Sequence, residues 1–188
     1  NRDRSMRVTR EILIRIARET AQKQALSDPG LVAAYLTGSL RSEEPFPGRS
    51  TDIDITLVHS SRPKVRREIL PLTPDVHLDL VHNQRSEYEK PKELRVHPRF
   101  GPELYDPLPL HVSGHFFEFV QAGVREKYHE PANVLARVRC LAGEARERWK
   151  QLQPLSASSP EQVLVYLKSI QLAAEAVAQL SGGPLAER

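Results

Sequence analysis

Leu36-Thr37-Gly38-Ser39, then the twelve residues 40–51, then Asp52-Ile53-Asp54-Ile55: the reading of this chain turns on that stretch. From Asp52 to His59 polar and apolar residues alternate. Asp52, Asp54 and Thr56 fall on one face and Ile53, Ile55 and Leu57 on the other, which is the period of a half-buried strand. Leu31 to Thr37 is a short apolar run bounded by Asp28-Pro29-Gly30 before it and Gly38-Ser39 after it. That length between turn signals predicts a buried strand and not a helix.

Two carboxylates two residues apart on one strand project from the same face. Left alone they repel, so Asp52 and Asp54 ask for a cation. Hard oxygen donors without a neighbouring cysteine favour Mg²⁺ or Mn²⁺ over zinc. Gly38-Ser39 follows a strand and can open a turn whose backbone N–H groups and hydroxyl grip a phosphate oxygen. A phosphate grip beside a magnesium pair is the equipment of phosphoryl or nucleotidyl transfer. Each feature taken singly has a plainer reading. An isolated Asp-x-Asp strand is usually a solvated sheet face, and Gly-Ser is usually just a turn.

Outward from this stretch, Thr9 to Leu26 carries Ile12, Leu13, Ile16 and Ala21 at helical spacing and predicts a helix. Residues 62–70 read as a short basic helix broken by Pro71 and Pro74, with Arg62, Lys64, Arg66 and Arg67 on its solvated face. Val76 to Val81 alternates again and predicts a strand. Residues 84–109 are prolyl and charged, with a short strand expected around 103–105. After Gly114 the character changes, and 115–128, 131–153 and 160–180 read as helices, with Pro131 and Pro160 at first-turn positions. The predicted class is α/β (α+β): a short, mixed, twisted sheet flanked by helices over 1–112, then a helical region over 113–188. Phe116, Phe117 and Phe119 are expected to fill core between the two halves, and Cys140 to be a buried small hydrophobe.

Val76-His77-Leu78-Asp79-Leu80 places a third carboxylate, Asp79, on the polar parity of the next strand. Gly-Ser, Asp-x-Asp and that third aspartate, in this order, make the chain resemble the nucleotidyltransferase superfamily typified by DNA polymerase beta. Among its members it is similar to small bacterial ones, including the kanamycin-type aminoglycoside nucleotidyltransferases. The resemblance runs through Leu31 to Asp106 and implies roles for single residues. Asp52 and Asp54 would bind Mg²⁺ (or Mn²⁺) and the nucleoside triphosphate, with ATP the expected one. Asp79 would complete the metal site and receive the acceptor's proton, unless Glu118 or Glu175 serves as base. Gly38 and Ser39 would hold the outer phosphates. Many small members carry an arginine three residues after the serine, where this chain has Ser42. Arg41 and Arg49 are the nearest basic substitutes. The implied acceptor is a hydroxyl on a small molecule, and a homodimer is left open.

His77 shares the predicted face of Asp79, with His59 and His82 nearby in sequence. None has ligand spacing to a second ligand, so they read as strand-end or cleft groups and not as a zinc site. Composition narrows the classes further. Of 188 residues 39% are hydrophobic and 27% charged, a globular balance, and one cysteine excludes an internal disulfide framework. No uninterrupted apolar run approaches a membrane span, since Lys168 and Glu175 interrupt the longest candidate; together with the lack of a signal pattern this predicts a cytoplasmic protein without a membrane segment. A net charge of +3 suits an anionic substrate but argues against a nucleic acid as partner. The rival reading is an antitoxin-like or regulatory module that keeps the fold and acts on a partner protein.

Overall fold

The computed structural model describes residues 9–41, 51–152 and 159–181. Helix α1 (Arg10–Ser27) starts at Thr9, whose side chain accepts from the Ile12 N–H, and ends where the Asp28 N–H returns to the Gln24 carbonyl. Asp28-Pro29-Gly30 then turns the chain into β1 (Leu31–Leu36). Strands β2 (Thr51–His59), β3 (Arg67–Thr73), β4 (Val76–Gln84) and β5 (Leu108–Val112) complete a five-stranded sheet in the order β3-β4-β2-β1-β5. β2 and β4 are parallel, while the other neighbouring pairs are antiparallel. A mixed sheet in an α+β chain with a helical C-terminal region is therefore what the sequence led one to expect.

Alternation along the strands decides which residues are covered. Leu36, Ile53, Ile55, Leu57, Leu78 and Leu80 share one face, and Leu13, Ala17 and Ala21 of α1 close over it as a dry core. The opposite face carries Asp52, Asp54, Thr56, His77 and Asp79. Further along that second face Tyr35 stacks on Phe117, with ring centroids 5.1 Å apart, and its hydroxyl bonds that of Tyr88 at 2.9 Å.

Two segments differ from their expected state. Residues 62–70 were expected to be helical, yet 67–73 form β3, joined to β4 by the two-residue Pro74-Asp75 hairpin. β3 is an edge strand, where Pro71 costs no interior ladder bond. The strand expected around 103–105 is instead the end of α3 (Phe100–Tyr105), which follows α2 (Pro91–Val96). The actual strand there is β5, the other edge, whose alternation Pro109 obscures.

The described residues through Glu89, together with Pro107–Val120, form one compact unit. Lys90–Asp106 and the residues from Gln121 onward form a second, so 90–106 clusters with the helices although it precedes residue 113. In the second unit α5 (Pro131–Leu152) packs on α6 (Pro160–Ser181) through Val138, Leu141, Ala145, Leu172 and Ala176. Helix α4 (Phe116–Arg125) begins in the first unit and ends in the second. Of the three phenylalanines expected as core, Phe117 is buried within the first unit, but Phe119 is 73% exposed. Cys140 is exposed on α5, contrary to its expected burial. Among the described residues α6 has the length and apolar composition to cross a membrane. This corrects the view that no segment does: Lys168 and Glu175 interrupt the apolar run but not the helix, which continues from Pro160 to Ser181.

Candidate functional site

Of the residues singled out by sequence, Gly38, Ser39, Asp52 and Asp54 lie where β1 ends and β2 begins, with Asp79 beside Asp54 on β4. The Thr37 N–H donates to the Asp54 carbonyl at 2.9 Å, prolonging the β1–β2 pairing up to Gly38. Gly38 has φ +71°, and a Cβ built on it would stand 1.9 Å from Asp54 Oδ2. Only glycine allows the backbone and that carboxylate to be so close. Ser39–Arg41 then form a 3₁₀ turn. Leu40 of this turn is buried in the α1-side core, and its carbonyl accepts from Arg10 Nε at 2.8 Å, anchoring the turn to α1.

The parallel register sets Asp54 beside Asp79 and Asp52 beside His77. Neighbouring strands lie about 4.8 Å apart, so Asp54 and Asp79 are adjacent carboxylates on one face. Asp52 stands two residues along, 62% exposed, with an oxygen 3.5 Å from His77 Nδ1. Asp79 is only 8% exposed, and both of its oxygens are taken by Arg67 of β3. Arg67 Nε lies 2.9 Å from Oδ1 and 3.1 Å from Oδ2, and Nη2 also donates to Oδ2.

Asp52, Asp54 and Asp79 thus share a face near Gly38. No group of three His, Cys, Asp or Glu side chains among the described residues is drawn close enough to hold a metal ion. The donor chemistry nevertheless fits Mg²⁺: that ion usually takes one or two carboxylates and completes its shell with water and phosphate oxygens. Gly38, lacking a Cβ, lets the backbone pack directly against the Asp54 carboxylate. Arg49 and the side chain of Arg41 lie outside the described residues. Glu118 pairs with His115 at 2.9 Å on the surface, and Glu175 accepts from Gln171 on α6.

Sequence reasoning missed Arg67 as a site residue, having placed it on a helix. The signal was the Pro74-Asp75 turn, which fits a hairpin between two strands as well as a helix stop. Also missed was a chain of bonds at the opposite end of the sheet, on the α1 side. Asp28 Oδ2 lies 2.8 Å from His59 Nδ1, and His59 Nε2 lies 3.0 Å from His82 Nδ1. His82 Nε2 is buried without a hydrogen-bond partner.

No protein-family model matches the chain, and no curated protein matches its sequence. Among solved structures it is similar to a nucleotidyltransferase-like protein from Exiguobacterium sibiricum 255-15. The two share 11% identity and a TM-score of 0.42 over 91% of this chain and 59% of that one. The chain thus spans less than two thirds of that neighbour's length. Likeness of this degree says nothing of substrate or mechanism.

Proposed function

We propose that this protein is a metal-dependent nucleotidyltransferase that moves a nucleoside monophosphate from a nucleoside triphosphate, ATP the first to try, to a hydroxyl on a small molecule. The observation that carries the reading is the pairing of Asp54 with Asp79 across β2 and β4, with Gly38 folded against the Asp54 carboxylate. Asp54 and the more exposed Asp52 would hold Mg²⁺ (or Mn²⁺), and Asp79 would stand as third ligand. When bound, the ion would supply positive charge to the triphosphate oxygens and to the charge that develops in the transition state.

The remaining work belongs to the chain itself. The turn at Gly38-Ser39 would offer backbone N–H and hydroxyl groups to the outer phosphates. It is anchored by Leu40 in the core and by Arg10 on the Leu40 carbonyl, so such a grip would be preorganised before substrate arrives. Asp79, nearly buried on β4 and held by Arg67, would accept a proton from a hydroxyl brought to the site only once that guanidinium releases it.

Calorimetric titration with ATP, with and without Mg²⁺, tests the reading. Wild type should bind the triphosphate only with the ion. Asp52→Asn and Asp54→Asn, which keep volume but replace charge with a neutral carbonyl, should lose that dependence. Tight binding without metal, or intact metal-dependent binding in both variants, contradicts it. One observation favours the rival binding module: Arg67 already satisfies Asp79, so the carboxylate needs no other cation for stability. Release of pyrophosphate with any hydroxyl acceptor separates the two.

A further inference from the structure

Asp79 and Arg67 are unequal partners. The carboxylate is 8% exposed and sits on β4, with β2 on one side and β3 on the other. The Arg67 side chain is 63% exposed and springs from the edge strand. The residue directly opposite Asp79 on β3 is Ile69, and Arg67 stands opposite Val81. The guanidinium therefore reaches diagonally, two residues along its strand, to set its fork on both oxygens. A fixed, covered anion is held by the end of a long, solvent-facing arm. On its other flank, on β2, lies Asp54, while Arg67 reaches Asp79 from the edge strand.

Two adjacent carboxylates repel when both are ionised, and in the absence of another cation Arg67 relieves that repulsion. A divalent ion entering the pair would need the same Asp79 oxygens. We infer that Arg67 is the internal counter-cation of this site, a positioning residue that holds Asp79 until metal and nucleotide enter and then transfers its fork to the phosphates. The inference rests on the metal-dependent reading above and extends it. Two properties of arginine suit both partners. Its planar fork matches carboxylate and phosphate alike, and its charge persists at any working pH. Arg67 and the divalent ion then compete for Asp79, while Arg67 and the triphosphate attract. One substitution should therefore move the two affinities in opposite directions.

The test is Mn²⁺ binding to the whole chain, followed by the paramagnetic signal of the free ion, with no nucleotide present. Arg67→Gln should bind Mn²⁺ roughly tenfold more tightly than wild type, the scale of removing a charge-assisted hydrogen-bonded competitor. At saturating Mn²⁺ the same variant should bind ATP several-fold more weakly, and Arg67→Lys should lie between wild type and Arg67→Gln in both measurements. Mn²⁺ should also raise the melting temperature of Arg67→Gln more than that of wild type, which reads the same competition in a variant with lower starting stability. If wild type binds Mn²⁺ and Arg67→Gln binds it equally or less well, the inference is wrong and the metal-dependent reading survives. If neither binds Mn²⁺, with or without ATP, that reading falls and the inference with it.

Discussion

At the scale of single residues, Gly38 is where backbone geometry and site chemistry meet. Its φ of +71° is one cost of substitution, and the approach of Asp54 Oδ2 is another. A Gly38→Ala change should lose about 1–2 kcal/mol from the left-handed backbone alone, with the collision against Asp54 added to it. The two parts can be separated by a double-mutant cycle. In an Asp54→Ala background the atoms nearest the new Cβ are gone except Asp54 Cβ at 3.2 Å, so Gly38→Ala should cost markedly less there. Chemical denaturation of the four proteins measures it. Equal costs in both backgrounds would mean that Gly38 serves only the turn and does not seat Asp54.

At the scale of elements, the Asp28–His59–His82 chain ties the end of α1 to the ends of β2 and β4. Burial is the main force pushing His82 below its ordinary value of 6.5; nearby His59 adds to it, and Glu68 on β3 opposes it. The unfolded chain therefore takes up a proton near pH 6.5 that the folded chain still refuses. The stability held by His82 is complete above that pH and declines as pH falls toward the lowered folded value. His97, pushed down by burial and by Arg99, works in the same direction; its Nδ1 accepts from the Arg99 and Phe100 N–H groups and so must stay unprotonated there. Asp28, held low by its bond to His59, acts lower down, its share being lost only as pH falls below its ordinary 3.8. Urea unfolding between pH 8 and 5 should show stability dropping below 6.5. His82→Asn should flatten that slope without abolishing it, because His97 remains. An unchanged slope in the variant would show that the pair does not control acid stability.

At the scale of the whole molecule, the helical unit has its own buried anchor. Arg137 of α5 donates to the carbonyls of Arg95 and Tyr128 and to Gln179 Oε1, and its guanidinium lies 3.9 Å over the Tyr128 ring. Truncation leaves two buried carbonyls and a glutamine without their donor. Arg137→Ala should therefore cost about 3 kcal/mol. Hydrogen exchange should show the loss first in α5 and α6, and full protection of these helices in the variant would refute the assignment.

Legibility followed the local strength of each pattern. β2, β4, α1 and the three C-terminal helices could be read from a period of two or 3.6 along the chain, and β1, buried on both faces, from its short apolar run between turn signals. Asp52, Asp54 and Asp79 could be placed on one face for the same reason: parity along a strand survives whatever its neighbours are. Edge strands print weakly. They bear prolines and charges because one side of each meets no partner, and β3 and β5 were missed on that account. What only the tertiary structure decided is pairing. That Asp54 stands beside Asp79, that Gly38 seats Asp54, that Arg67 holds Asp79 and that His59 meets His82 all depend on strand order and register. These contacts join residues 12 to 25 positions apart in the sequence. No local period encodes such distances, because each is set by how whole elements pack to bury their apolar faces.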